Sequence, residues 1–102
     1  AYTKELHKLI PDTMAGFSSM AKAATATKAL DEKTKELIAV AIAVAIRCDG
    51  CIGFHVKALV RLGATREELN EVLNMCVYLG GGPSLMYAAN VLAAFDEFSV
   101  AS

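Results

Sequence analysis

Apolar and polar residues recur at helical spacing along the whole chain, and this pattern predicts an all-α protein. No segment alternates apolar and polar residues with a period of two for long enough to make a strand. The chain is expected to form one domain over residues 1–102. The pattern predicts about six helices, at residues 3–10, 13–24, 32–47, 50–62, 66–79 and 83–98.

Local signals mark the ends of several of these helices. Asp12, Asp31 and Asp49 stand where N-caps of the second, third and fourth helices are needed. Gly63 suits a left-handed C-cap after the fourth helix. The next helix begins with a capping box, and a tight turn precedes the last helix; these signals are Thr65 with Glu68, and Gly80–Pro83.

The third helix is the predicted centre of the domain, because its ten residues from Leu37 to Ile46 are all apolar. A helix that is apolar on every side must be covered on every side. Other positions at core spacing include Phe17 with its neighbouring methionines, and Cys76, which is expected to be a buried structural cysteine. On the last helix the expected core face is Leu85, Ala88, Ala89, Leu92 and Phe95.

Composition narrows the possible partners. The net charge of −1 and the pI near 6.1 give no basic patch for nucleic acid or an anionic membrane. The longest apolar run is about half the length that spans a bilayer. The apolar fraction of 55% and mean hydropathy of +0.41 instead predict a homo-oligomer that buries surface between subunits. Three cysteines and no signal-peptide pattern lead us to expect a cytoplasmic protein.

The candidate chemistry is concentrated between the third and fourth helices. Cys48 and Cys51 form a C-x-x-C motif, and His55 follows one helical turn after Cys51. Cys51 lies in a first helical turn, where the helix dipole favours a thiolate, and His55 can take its proton. Cys48 can then resolve an oxidised Cys51 by forming a disulfide. Which cysteine is attacked first stays open, because exposure also governs reactivity.

Glu36 lies at the border between the charged and the apolar turns of the third helix. A glutamate in early helical turns is usually solvated, but an antiparallel return of the fourth helix brings His55 back toward it. Glu36 can then orient His55 and accept its proton, as in a nucleophile–base–orienter triad. His7 lies among charged residues and is expected to be a surface histidine.

The same residues allow other functions besides a dithiol site. Cys48, Cys51 and His55 offer only three metal ligands, so no metal and no other cofactor is expected. The absence of predicted strands excludes a thioredoxin fold, and Ile52 stands where a haem-attachment motif needs histidine. A decarboxylase-like lyase and a non-catalytic, redox-sensing oligomer remain as alternatives.

Three motifs together resemble the AhpD-like (alkylhydroperoxidase D), carboxymuconolactone decarboxylase-type family: Lys35-Glu36-Leu37, Cys48-x-x-Cys51-x-x-x-His55 and Gly63-Ala64-Thr65-x-x-Glu68. The resemblance implies an all-α fold that assembles as trimers or hexamers. It also implies a redox site made of Cys48, Cys51, His55 and Glu36.

That resemblance makes a thiol-dependent peroxidase of hydroperoxides the expected function, with a lipoylated carrier or a thioredoxin-like dithiol protein as reductant. Alkylhydroperoxidase D proteins contain two such helical units and a second histidine between the cysteines, where this chain has Gly50. True decarboxylases of the family lack the cysteine pair, which argues against lyase activity here.

Overall fold

A computed structural model describes residues 2–101, and within that range it contains helices and no strand, which confirms the all-α prediction. The helices are α1 (Tyr2–Leu9), α2 (Pro11–Thr25), α3 (Glu32–Ala45), α4 (Asp49–Arg61) and α5 (Arg66–Ala101). The last two predicted helices are the two arms of α5, which are separated by a break at Gly81.

The break in α5 is shorter than the turn that the sequence predicted. Gly81 alone has non-helical backbone angles, with φ of 69° and ψ of −149°. Glycine tolerates this positive φ because it has no Cβ. Pro83, which lacks a backbone N–H, also interrupts the helical hydrogen bonding at this point. The chain therefore changes direction at one residue and resumes its helix at once.

The hydrophobic core lies between α3, α4 and α5, which all pack against one another. In the described part of the chain, α1 contacts only α2, and α2 otherwise contacts only α3. The largest fully buried side chains come from all three core helices: Val40, Val44, Val56, Leu59, Leu69 and Val91. The central position predicted for the third helix is thus confirmed for one of its faces.

The prediction that α2 contributes to the core is wrong for the single chain. No residue of α2 is buried, and Phe17 is 57% exposed. The predicted cap is also wrong, because Ile10 occupies the N-cap position and Asp12 lies in the first turn after Pro11. Proline is favoured at the first helical position, so it starts the helix earlier than Asp12 would have done.

The predicted face of the second arm of α5 is confirmed in part, because Ala88 and Phe95 are buried and Leu92 is half-buried against the core. The structure buries Ser84, Ala88, Val91 and Phe95, whereas Leu85 and Ala89 are exposed. Ser84 and Val91 complete the buried stripe in place of Leu85 and Ala89. The backbone at Gly81 sets which side of this arm faces the core. Because the arm has apolar residues on most sides, its sequence does not determine that side.

The predicted caps of α3 and α5 are confirmed. The Asp31 side chain accepts a hydrogen bond from the Thr34 N–H at 2.8 Å. In the capping box, Thr65 N–H donates to Glu68 at 2.8 Å and Glu68 N–H donates to Thr65 Oγ1 at 3.1 Å. The Thr65 bond and the nearby Lys33 ammonium both lower the pKa of Glu68. Lys33 and Glu68 thereby connect the first turns of α3 and α5.

The end of α4 is a Schellman motif, in which Gly63 takes the left-handed conformation at φ 77°. Gly63 N–H donates to the Val60 carbonyl at 3.2 Å, and Ala64 N–H donates to the Leu59 carbonyl at 3.0 Å. The predicted left-handed cap at Gly63 is confirmed.

The end of α3 repeats this motif with an arginine in place of the glycine. Arg47 has φ 61°, its N–H donates to the Val44 carbonyl at 3.2 Å, and Cys48 N–H donates to the Ala43 carbonyl at 3.0 Å. The predicted end of the third helix at Arg47 is therefore two residues late. A left-handed arginine costs about 1–2 kcal/mol relative to an ordinary backbone conformation.

The two Schellman motifs make a matched pair for mutation. We expect Arg47→Gly to raise the free energy of unfolding by about 0.5–1 kcal/mol, because relief of strain exceeds the added entropy of the unfolded chain. Gly63→Ala should lower it by about 1 kcal/mol, since a Cβ there meets no atom within 4 Å and only the backbone is strained. Denaturant unfolding of both variants measures these changes, and a loss of stability in Arg47→Gly would contradict the argument.

A row of isoleucines on α3 leaves an apolar surface exposed. Ile38, Ile42 and Ile46 follow one another at four-residue spacing, and Ile42 is 53% exposed. No helix within residues 2–101 has both the length and the hydrophobicity needed to cross a membrane. The exposed isoleucine row keeps the prediction of a homo-oligomer, a trimer or a hexamer, in which another subunit covers this row.

Ile42→Glu tests the predicted oligomer. A carboxylate at a desolvated interface is costly, so the variant should dissociate toward the 10.8 kDa monomer while its helical content is retained. Light scattering and circular dichroism measure the two properties, and Ile42→Met is the control that keeps an apolar side chain. A monomeric wild-type protein would refute the prediction.

Candidate functional site

The C-x-x-C motif forms the connection between α3 and α4. Cys48 and Cys51 are joined by a disulfide, and their Cα atoms are 5.2 Å apart, within the usual range for such bonds. Both side chains are half-buried. The Schellman motif at Arg47 reverses the chain immediately before Cys48, so the pair lies where α4 starts back along α3.

Cys48 caps α4, and the predicted cap at Asp49 is wrong. The Cys48 Sγ atom accepts a hydrogen bond from the Cys51 N–H at 3.2 Å, and Cys48 has the extended backbone that an N-cap needs. Asp49 is the first residue of the helix, and its Oδ1 atom accepts a hydrogen bond from Asn90 on α5 at 3.2 Å. Sulfur at a helix N-terminus is favoured as a thiolate, because the helix dipole and free N–H groups stabilise negative charge.

Glu36 and His55 meet between α3 and α4. The Nδ1 atom of His55 lies 2.6 Å from the Oε2 atom of Glu36. Glu36 is only 4% exposed, whereas the His55 side chain is 26% exposed. The antiparallel return expected from the short connection thus brings the two residues into direct contact.

The contact with Glu36 favours one tautomer of the His55 imidazole. A carboxylate beside Nδ1 favours the proton on that nitrogen, so Nε2 is the nitrogen that can exchange a proton. The Phe54 ring lies edge-on to the imidazole, with centroids 5.2 Å apart and an interplanar angle of 82°. The site therefore has a bonded cysteine pair, an oriented imidazole and a buried carboxylate.

Sequence reasoning found these four side chains and missed three that support them. Arg47 forms the strained turn before the cysteines, Asn90 ties the start of α4 to α5, and Phe54 contacts the imidazole ring. The sequence around Arg47 gives no local signal that this arginine has a left-handed backbone. Asn90 and Phe54 are found only once the helices are placed in space.

The remaining candidate side chains lie elsewhere. Cys76 is a half-buried free cysteine on α5, rather than the fully buried one that was expected, and burial raises the pKa of its thiol. His7 is exposed on α1, as predicted. Residues 2–101 contain no cluster of three or more histidine, cysteine or acidic side chains arranged to hold a metal ion.

Comparisons with known proteins agree on one family. A family model described as carboxymuconolactone decarboxylase family matches residues 11–94. A solved structure of a carboxymuconolactone decarboxylase family protein from Legionella pneumophila shares 63% identity, covers 96% of this chain and 88% of its own, and has a TM-score of 0.92. An uncharacterized protein of Cupriavidus necator is 49% identical over 89 residues, which are 87% of this chain and 79% of that protein.

A more distant solved structure, from Thermotoga maritima, is described as a carboxymuconolactone decarboxylase family protein with possible involvement in antioxidative response. It is 29% identical, covers 83% of this chain and 88% of its own, and has a TM-score of 0.77. An uncharacterized protein of Paracoccus denitrificans is 40% identical over 79% of this chain and 73% of its own length.

The Glu36–His55 contact predicts that the two residues act as one proton-transfer unit. Glu36→Gln and His55→Gln should each raise the pKa of the reactive cysteine in the reduced protein and slow its reaction with peroxide by about 10²-fold. The double variant should be little slower than either single one. Thiolate ultraviolet absorbance against pH measures the pKa, and stopped-flow oxidation measures the rate.

Matched controls are available on the same molecule. Glu32 forms an exposed ion pair with Arg61, and His7 is exposed, so Glu32→Gln and His7→Gln should leave the cysteine pKa unchanged. Fully additive losses in the double variant would mean that Glu36 and His55 act independently.

Proposed function

The chain belongs to the carboxymuconolactone decarboxylase family, and from that membership together with its dithiol site we propose that it is a thiol-dependent peroxidase. Its substrates are hydroperoxides, which it reduces through a dithiol–disulfide cycle of Cys48 and Cys51. Glu36 and His55 supply the proton transfers.

The observation that carries the proposal is the disulfide at the start of α4 beside an oriented histidine. A C-x-x-C pair that closes into a disulfide can deliver two electrons, which is the number that an O–O bond takes up on reduction. The Glu36–His55 pair provides a base for the thiol and an acid for the departing oxygen. A structural cysteine pair would need neither a helix N-terminus nor a buried carboxylate with its histidine.

The reaction balances in two steps. The Cys51 thiolate attacks the terminal peroxide oxygen, the O–O bond breaks, and the alkoxide leaves as an alcohol with a proton from His55. Cys51 is then a sulfenic acid, and the Cys48 thiol displaces its oxygen as water to form the disulfide. The sum is one hydroperoxide and two thiols converted to one alcohol, one water and one disulfide.

We assign the first attack to Cys51 because His55 lies one helical turn beyond it, within the same helix. Cys48 is the N-cap residue, and its Sγ atom accepts a hydrogen bond from the Cys51 N–H. Its sulfur therefore lies at the positive end of the α4 dipole. A helix N-terminus stabilises negative charge on sulfur, and this favours Cys48 as the leaving group when a reductant opens the disulfide.

The cycle closes only if another dithiol reduces the disulfide by thiol–disulfide exchange. A lipoylated carrier or a thioredoxin-like protein has the necessary chemistry. A cytoplasmic location fits this requirement, because reducing systems there keep thiols available. The description of the Thermotoga maritima relative, with its possible involvement in antioxidative response, supports a peroxide substrate.

The experiment is peroxide consumption by the reduced protein, compared with Cys48→Ser and Cys51→Ser. A single turnover should lower the titratable thiols from the three cysteines of the chain to one and consume one peroxide. Cys51→Ser should lose the reaction by about 10²-fold or more, because serine is a far weaker nucleophile at neutral pH. Cys48→Ser should react once and stop at a sulfenic acid, which a dimedone-type reagent traps.

Two results would count against the proposal. Full turnover in Cys51→Ser would show that Cys51 is not the nucleophile. Trapping of the sulfenic acid on Cys48 would identify Cys48 as the nucleophile instead. Absence of any peroxide-dependent disulfide in the wild-type protein would refute peroxidase activity itself.

A further inference from the structure

A cavity of about 380 Å³ opens between the C-terminal half of α3 and the break in α5. Its walls include Ala41 and Ala45 of α3, and Met75 and Leu79 of α5. The volume falls in the range of small-molecule sites, and such sites combine mostly apolar walls with a few polar groups. The C-x-x-C pair is not part of this lining, so the cavity is a separate feature.

Ser84 is the buried polar group of the cavity. It is 7% exposed, lines the cavity, and has no hydrogen-bond partner for its hydroxyl among residues 2–101. No fully buried side-chain oxygen or nitrogen atom of residues 2–101 lacks a partner, so the unbonded Ser84 Oγ atom is reached from the cavity and is available to a ligand. Gly80 makes room for this side chain, since a Cβ on Gly80 would collide with the Ser84 hydroxyl.

Arg47 is the charged group of the cavity. Its guanidinium forms no ion pair in the described part of the chain, although four other basic side chains do: Lys33, His55, Arg61 and Arg66. The left-handed backbone at Arg47 directs the chain across this end of α3. A planar guanidinium with free N–H groups is the best protein partner for a carboxylate.

The remaining lining leaves the cavity without negative charge. Its lining contains no acidic side chain, and burial raises the pKa of the Cys76 thiol, which is therefore neutral at neutral pH. Arg47 is an exposed residue at the edge of the cavity, and no lining residue offers it a competing negative charge.

We propose that this cavity binds a small monocarboxylate with a short apolar chain. The carboxylate pairs with Arg47 and accepts a hydrogen bond from the Ser84 hydroxyl, while the chain lies against Ala41, Ala45 and Leu79. This inference goes beyond the proposed peroxidase activity, and it can be tested without any peroxide.

Cys76 is a built-in reporter for the test. With the disulfide intact it is the free cysteine of the chain, so a neutral thiol reagent modifies it alone. The experiment measures that modification rate in oxidised protein at mildly alkaline pH, with hexanoate or hexanol as probe. Hexanoate at about ten times its Kd should slow the reaction about tenfold, whereas hexanol at the same concentration should have little effect.

Variants locate the probe. Arg47→Gly keeps the left-handed backbone and should weaken hexanoate protection by about tenfold or more, and Ser84→Ala should weaken it similarly. Gly80→Ala should remove protection because it displaces the Ser84 side chain. Gly82→Ala is the matched control, since a Cβ there meets no atom within 4 Å. Circular dichroism checks that each variant is folded.

Three results would overturn the proposal. Equal protection by hexanol would show that the carboxylate is not recognised. No protection by hexanoate would show that the cavity does not bind this ligand. Protection that rises with protein concentration and ignores hexanoate would mean that a second copy of the chain covers the cavity.

Discussion

A buried carboxylate holds the candidate site together. Glu36 is almost fully buried, so its charge or hydrogen-bonding capacity must be satisfied inside the protein. The 2.6 Å contact with His55 provides that satisfaction and fixes α4 against α3 at a defined height. If α4 moved by one turn, the carboxylate would lose its partner and the imidazole would lose its orientation. Fold and chemistry therefore depend on the same contact.

That contact is possible because the chain reverses within a few residues. Arg47 accepts an unfavourable backbone conformation, and the Schellman bonds around it turn the chain so that Cys48 can cap the next helix. The strain thus lies directly beside the sulfur atoms. Asn90 then fixes the first residue of α4 from the side of α5. Three helices consequently contribute to the position of one disulfide.

Much of this site could be predicted because its residues obey local rules. The spacing of Cys48, Cys51 and His55 follows helical geometry, and a short connection forces α4 back toward Glu36. Asp31 and Thr65 have side chains that cap helix N-termini, and Gly63 lacks a Cβ and so suits a left-handed C-cap. These features involve neighbours in sequence, so the sequence alone determines them.

Other features depend on packing and could not be predicted. An arginine carries no signal for a positive φ, so α3 was expected to continue through Arg47. The second arm of α5 has apolar residues on most sides, and only its contacts with α3 and α4 decide that Val91 is buried while Leu85 is exposed. Phe17 was assigned to the core from its apolarity, which does not distinguish a core from a surface between subunits.

The break at Gly81 also reconciles the length of α5 with the size of the molecule. A straight helix of its 36 residues would measure about 54 Å, yet the longest dimension of the protein is 38 Å. An unbroken rod would extend beyond the core and leave one half without neighbours. The break at this glycine lets both arms of α5 contribute to one core, with Leu69 buried in the first arm and Val91 in the second. A substitution that made position 81 helical would therefore move the second arm of α5 away from the core, and its effect would not be confined to the break.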